Sequence, residues 1–350
     1  MFLFLLILTL FIYIYGTSKR RMGPFYFLGF VLALISGFRG ESVGIDTHSY
    51  HEFFNDLIAG ENSGFIEFGY LQFLKLIIFI GGTQQLVLLV FACFTTYCFC
   101  KFILRYSNNP YLSLLIFVFF APLYISSLNQ MRQYLVIGVF LAYLIPLIQE
   151  KQLIKYIILI LLCTFMIHFS AIVLLPLYFV LNKKIPTYSK ALSLVFFNLI
   201  IGSLVFLVLM THYGYFILLR SDKEVGLAVF FIQILISIFV LLFEKSISKK
   251  SDDRIIFFNM AFLSIFILSP LFISKNFPSE ILMRINSYFL PFLIIIIPDI
   301  LNAFTKKSKR ILVFLTITFF SFYFYRSTVI LGEFYSLYPY EINTKLFIFF

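Results

Sequence analysis

Charge is what this chain has least of. Only 12% of its 350 residues are Asp, Glu, Lys or Arg, about half the share usual in soluble domains. Cysteine is also sparse. Cys93, Cys98, Cys100 and Cys163 all lie inside apolar runs, and Cys98-Phe-Cys100 has neither a metal nor a redox spacing, so they read as small packing residues. No Asp-x-Asp motif occurs, which disfavours a nucleotide-sugar transferase that works through a divalent metal. The apolar stretch 1–15 has no positive segment before it and no small-residue cleavage site after it. It therefore reads as a retained span and not as a signal peptide. No clear internal repeat of the kind common in transporters is present.

What is present is apolar surface: 61% of residues are hydrophobic and 21% aromatic, with a mean hydropathy of +1.00. A water-soluble globule of this length cannot hide that much, so an ordinary soluble enzyme is excluded. A spanning helix needs about 20 apolar residues. Apolar runs place spans at 1–16, 24–38, 84–104, 111–127, 131–149, 153–168, 170–181, 191–211, 225–243, 255–274, 285–303 and 311–330. The expectation is an all-α polytopic membrane protein of about twelve transmembrane helices. It has one transmembrane domain over 1–350 and no room for a separate soluble domain of about 100 residues. The run Tyr70 to Ile80 is too short to span, carries Lys75, and is bracketed by glycines. It is expected as a short re-entrant or interfacial helix within an outer loop at 39–83.

The net charge of +11 calls for a topological reading before any thought of nucleic acid, because cytoplasmic loops collect Lys and Arg. With both termini outside and Tyr70–Ile80 not crossing, the clusters at 19–21, 101–105, 151–155, 183–190, 245–254 and 306–310 all face the cytoplasm. They hold eighteen of the 27 basic residues. If 70–80 crossed, every later cluster would face outward. The excess positive charge is thus a topology signal and names no nucleic-acid partner.

The informative charges are the few on the outer side. The loop 39–69 gathers Arg39, Asp46, His48, Tyr50, His51, Glu52 and Glu67 among five glycines. A short helix from about Asp46 to Asp56, capped by Asp46 or Thr47, would line up Tyr50, Phe53, Phe54 and Leu57. A second cluster is Ser126-Ser-Leu-Asn129-Gln130-Met-Arg132-Gln133, with an arginine entering an apolar run, where a buried charge is costly. A third is His168-Phe-Ser-Ala171, and a fourth pairs Arg284 with Tyr288 on one helix face. Arg326 and Tyr338-Pro-Tyr340 complete the set. Arginines among apolar walls suit a lipid-linked pyrophosphate, because the guanidinium fork matches phosphate oxygens. Amides and tyrosines suit sugar hydroxyls. Asp46, His48, His51 and Glu52 also form a possible metal set, with the two histidines one helical turn apart, but arginines alone can handle a pyrophosphate and no metal is expected.

In combination, several of these pieces resemble the EpsG-type branch of the Wzy-like polysaccharide polymerases. They are Phe38-Arg39 through Val43-Gly44-Ile45-Asp46-Thr47 with Tyr50; Glu67-Phe68-Gly69-Tyr70; Asn129-Gln130-Met131-Arg132-Gln133; His168-Phe169-Ser170-Ala171; and Arg284 with Tyr288. Phe68 stands where similar proteins often have Pro. The resemblance implies a bacterial cytoplasmic-membrane enzyme. It would pass a growing glycan from an undecaprenyl-diphosphate carrier onto an incoming lipid-linked repeat unit at the outer face, in exopolysaccharide, capsule or O-antigen synthesis. Donor and acceptor are then both lipid-linked glycans, and no cofactor is implied. A flippase and a chain-length regulator of the same pathway are implied partners.

On that reading Arg39, Arg132 and Arg284 bind pyrophosphate and stabilise the leaving group. Asp46, Glu67 and His168 are the candidates for general base, with Asp46 preferred because it sits in the densest motif. Tyr50, Tyr70, Asn129, Gln130, Gln133 and Tyr288 are expected to bind sugar. Two other classes stay open. A flippase of lipid-linked oligosaccharides would use the same arginines without chemistry. Another lipid-dependent transferase is the second, either a ligase or an acyltransferase, of which the acyltransferase would need a central histidine reached from the cytoplasm, whereas His168 is expected outward.

Overall fold

A computed structural model describes residues 1–19, 21–61, 66–196, 227–248, 252–269, 279–332, 336–337 and 340–347. The described residues are almost wholly helical, with only isolated β-bridges. In chain order the helices are α1 (Phe2–Lys19), α2 (Gly23–Gly37), α3 (Thr47–Ala59), α4 (Phe68–Phe79), α5 (Gln84–Tyr106), α6 (Pro110–Phe119), α7 (Tyr124–Asn129), α8 (Met131–Gln149) and α9 (Leu153–Met166). After them come α10 (Leu177–Val180), α11 (Thr187–Phe196), α12 (Leu227–Leu242), α13 (Glu244–Ser248), α14 (Ile255–Leu268), α15 (Ser279–Asn286), α16 (Phe292–Asn302) and α17 (Lys306–Ile330). The chain divides into two compact units, one of residues 1–175 with 301–350 and one of residues 176–300.

Among the described residues, four helices (α1, α5, α8 and α17) are long and apolar enough to cross a membrane. The other expected spans take shorter or interrupted forms. The run 111–127 is split into α6 and α7 at Ala121-Pro122, where proline removes a donor and disfavours helical backbone before it. The run 170–181 is a 3-10 segment, Phe169–Leu174, and the four-residue α10, separated at Pro176. The run 285–303 breaks between α15 and α16, beside Pro291. At 14 residues, α9 reaches only about 21 Å. Much of 191–211 and the ends of 225–243 and 255–274 lie outside the described residues.

In the first unit, α5 is the central helix. Its neighbours α2 and α8 approach closely because glycines face it. A Cβ on Gly37 would lie 2.5 Å from Leu89, and one on Gly138 2.9 Å from Cys98. Small residues at such contacts are how helices pack where lipid removes the hydrophobic drive for association. The four cysteines are free, two of them buried. On α1, Leu5, Thr9, Ile12 and Gly16 are buried, while Leu3, Phe4, Ile7, Phe11 and Ile14 are exposed. That apolar outer stripe suits a lipid solvent.

Contacts within this unit sort its loops into two ends. At one, the Tyr111 hydroxyl donates to the Arg21 carbonyl, Tyr106 to Gln149 Oε1 at 2.7 Å, and Arg105 lies 3.7 Å from Glu150. At the other, the Phe2 and Tyr340 rings meet edge to face at 5.4 Å, and the Tyr340 hydroxyl donates to the Ile35 carbonyl. The extended tail then runs on from Tyr340. Gly40 N–H donates to the Glu341 carbonyl (2.8 Å), Asn343 N–H to Phe38 (2.9 Å) and Thr83 N–H to Leu346 (2.9 Å).

Helix α4 has both ends at this second end of the unit. It starts at Glu67, which pairs with Arg132 and His168, and it finishes at Gly82–Thr83 under the tail. It therefore does not traverse the unit. Tyr70, Leu74 and Ile77 are buried on one face, while Phe68, Leu76 and Phe79 are exposed on the other. The helix is thus largely apolar on its outer face as well as its buried one, which suits contact with lipid.

The second unit is held by paired polar groups inside an apolar core. Asn286 Nδ2 donates to Gln233 Oε1 at 2.8 Å, Arg254 meets Asp299 at 2.6 Å, and Lys190 meets Glu244 at 2.6 Å. Asn259 Nδ2 donates to the carbonyls of Leu181 and Lys183, both at 2.8 Å. Buried charge without such a partner would be expensive.

Candidate functional site

The site grows from a close approach of two backbones. A Cβ on Gly69 would sit 2.4 Å from Met166 Cα, so only glycine lets the start of α4 rest on the end of α9. That contact carries Glu67, one residue ahead of α4, against the chain leaving α9. Glu67 Oε1 accepts from Nδ1 of His168 at 2.8 Å and from the Phe169 N–H at 2.9 Å. Its other oxygen, Oε2, accepts from Arg132 Nη1 at the start of α8. One carboxylate thus joins three segments: 67, 132 and 168–169.

These contacts settle its charge. Burial pushes the Glu67 carboxyl up, but the His168 hydrogen bond, the Arg132 charge and the Phe169 N–H outweigh it and hold it at about 2. Glu67 is accordingly an anion that only accepts hydrogen bonds. His168 Nδ1 donates the hydrogen it shares with Glu67, so Nε2 is the ring nitrogen that Glu67 does not engage. Accessibility rises along the series: the side chains of Glu67, Arg132 and His168 are 8%, 18% and 25% exposed.

Two tyrosines face the cation. Arg132 Cζ lies 4.8 Å from the Tyr70 ring centroid and 5.8 Å from that of Tyr50, both within range of a cation–π attraction. Tyr50 projects from α3 and Tyr70 from α4, and with Phe54, Leu74, Ile77, Phe91 and Met131 they share one apolar cluster. The expected stripe of Tyr50, Phe53, Phe54 and Leu57 is present and packs there. Arg132 Nε is buried without a hydrogen-bond partner.

The other residues singled out in the sequence take up different positions. Arg39 is 1% exposed. Its Nη1 donates to the Ser36 carbonyl at 2.5 Å and its Nε to the Thr47 hydroxyl at 3.2 Å. Burial pulls its pKa below the usual arginine value. Asn129 Oδ1 accepts from the Ile45 N–H at 3.0 Å, next to Gly44, whose φ of +95° suits glycine. Asp46 precedes α3, and its carbonyl accepts from the Tyr50 N–H at 3.2 Å. Gln133 is buried, and Gln130 Oε1 is buried without a partner. Arg284 sits in the last turn of α15 and Tyr288 lies just beyond that helix, fully buried, in the second unit, so the two do not share one helix.

Four roles escaped the sequence reading: those of the Phe169 N–H, of Glu41, and of Ser36 and Thr47 as anchors of Arg39. Glu41 gathers the loop histidines. His48 Nδ1 lies 2.6 Å from Glu41 and its Nε2 3.1 Å from Glu52, while His51 Nδ1 is 4.0 Å from Glu41. The Glu41 hydrogen bond, then the Glu52 charge, raise the His48 pKa. Among the described residues no group of three or more His, Cys, Asp or Glu is arranged to hold a metal ion.

Comparison with known families matches residues 22–342 to the EpsG family. No curated protein and no solved structure matches the chain at a significant level. The family match extends over nearly the whole chain and takes in every residue of the Glu67, Arg132 and His168 constellation; the protein belongs to the EpsG family.

Proposed function

We propose that this protein polymerises polysaccharide, passing a glycan from a polyprenyl-diphosphate carrier, undecaprenyl in bacteria, onto an incoming lipid-linked repeat unit. The observation that supports it most is the Glu67 carboxylate shared between Arg132 and His168, which puts a cation and a proton acceptor side by side at one end of an apolar bundle. Membership of the EpsG family points the same way.

In the proposed step, an acceptor sugar hydroxyl attacks the anomeric carbon of the donor. The new C–O bond forms as the bond to diphosphate breaks, and the electron pair leaves on the diphosphate oxygen. Arg132 meets the charge that develops there. The hydroxyl proton goes to the Glu67–His168 pair and then to water. Base assistance of this kind contributes typically about 10²–10⁴-fold. Arg39, being buried and tied to Ser36 and Thr47, organises the loop that carries Asp46 and Tyr50. Tyr50 and Tyr70 hold Arg132 in place, and Gln130 offers an unpartnered amide oxygen. Asp46, the preferred base on sequence alone, becomes the second choice, while pyrophosphate binding by Arg284 and sugar binding by Tyr288 are proposed for the second unit taken by itself.

The end carrying this site lies opposite Arg21, Arg105, Lys151 and their neighbours, so the positive-inside rule argues for an outward-facing site with both termini outside, in the cytoplasmic membrane. A flippase and a chain-length regulator are the proposed protein partners.

The test uses purified protein and lipid-diphosphate oligosaccharide alone. Polymer should form without nucleotide sugar or added metal. Arg132→Ala should leave single repeat units on the lipid. Movement of the intact lipid without any polymer would mark a flippase instead. Labelling of a cysteine placed at residue 49 or 56 from the cytoplasm would overturn the outward orientation.

A further inference from the structure

Three segments meet at Glu67, and its two oxygens are divided between two different partners. Oε1 belongs to His168 Nδ1 and the Phe169 N–H; Oε2 belongs to Arg132. Anything that draws Arg132 toward another anion therefore changes how much of the carboxylate charge is left for His168. We infer that Glu67 is a positioning residue that couples the occupation of Arg132 by a diphosphate to the proton affinity of His168 Nε2. The inference rests on the proposed function only in naming the diphosphate; the coupling itself needs no turnover.

The argument is electrostatic and geometric. A carboxylate that holds Nδ1–H fixes the tautomer and ring orientation of a histidine and stabilises the imidazolium. In the free protein that carboxylate is also neutralised by Arg132, whose Nη1 sits on Oε2. The Arg132 side chain is 18% exposed, and although Glu67 holds its Nη1 and Tyr50 hydrogen-bonds the same guanidinium, a second anion can approach it from the open side. A diphosphate bound there would share the guanidinium charge and leave Glu67 acting more fully on His168. The base would thus gain strength only when the donor is in place. The charged and titratable groups around His168 are Glu67 from the start of α4 and Arg132 from α8, with the phenols of Tyr50 and Tyr70 beyond the guanidinium. A coupling of this kind also has a use, because an acceptor hydroxyl is not deprotonated before there is a glycan to receive it.

The chain has four histidines, so His168 is easily followed alone. The experiment measures the pH midpoint of diethyl pyrocarbonate modification at His168 by peptide mass spectrometry, on the full-length protein in nanodiscs, with and without inorganic pyrophosphate. In the wild type, pyrophosphate should raise the midpoint. Glu67→Gln should lower it by about one pH unit and abolish the response. Arg132→Gln should raise it without pyrophosphate and make it insensitive to further addition. Loss of local structure would move both variants in the same direction, so opposite signs support coupling, and equal signs overturn it. A wild-type midpoint that ignores pyrophosphate also overturns it, and that arm needs no variant to fold. If the midpoints behave as stated while no polymer forms, the coupling stands and the polymerase reading fails.

Discussion

Nδ1 of His168 and Oε1 of Glu67 lie 2.8 Å apart across 101 positions of chain. The contact exists because Gly69 lets α4 rest on the α9 backbone. It distinguishes two residues that the sequence offered as equals: Glu67 accepts from three donors, whereas it engages only one ring nitrogen of His168.

Gly69 should consequently be the least replaceable glycine here. Gly69→Ala brings a Cβ to 2.4 Å from Met166 Cα, where only backbone movement can relieve the clash. The expected cost is about 1–3 kcal/mol of stability, together with loss of polymer. Gly23→Ala, with nothing within 4 Å of the added atom, is the control and should be close to neutral in the same thermal-unfolding measurement.

Asn129 should act as a clamp on the loop. Asn129→Ala removes the acceptor for the Ile45 N–H, at about 1 kcal/mol. Asn129→Asp keeps an acceptor at that position and should retain most of the stability. Faster amide exchange at residues 44–47 in the alanine variant but not in the aspartate variant is the readout; equal exchange in both would assign Asn129 another role.

Acid should loosen the Glu67 junction. Its carboxyl is held at about 2 against an ordinary 4.5, so the ionised form is stabilised by folding. That contribution is present above pH 4.5 and is lost as pH falls toward 2. It amounts to at most about 3 kcal/mol by linkage. The thermal midpoint in detergent should fall through this window in the wild type, and less steeply in Glu67→Gln.

Removing residues 340–347 should expose the loop to exchange. The tail takes hydrogen bonds from Gly40 and Thr83 and gives one to Phe38, and Glu341 Oε2 accepts from Ser42 at 2.8 Å. Without it, amides at 38–44 and 82–83 should exchange at least tenfold faster, while those of the central helix α5 stay unchanged.

Much of this was legible in the sequence where one residue carries the signal. The run 70–80 stood out as a separate short helix between glycines, and the Tyr50, Phe53, Phe54 and Leu57 spacing announced a packed face on α3. Glu67, Arg132 and His168 stood out because polar residues are rare in this chain. Their pairing could not be read, because partners 65 and 101 positions apart leave no local pattern. Arg39 illustrates the converse. Its type gave no hint of its burial, which rests on the Ser36 carbonyl and the Thr47 hydroxyl; Thr47 stood in the 43–47 block, but its bond to Arg39 left no trace there. The interrupted helices were missed because hydropathy registers how apolar a run is and passes over the backbone break that Pro122 or Pro176 imposes.

The strand-like tail has a consequence for biogenesis. Arg39 pairs with Ile342, so a segment made early in synthesis is fastened by one made some 300 residues later. Until then the contacts through Arg39 and Asn129 hold the loop around Asp46 and Tyr50 without the tail. Synthesis of residues 340–347 is therefore a late step in fastening this loop, and nascent chains stalled before it should be cut there by added protease.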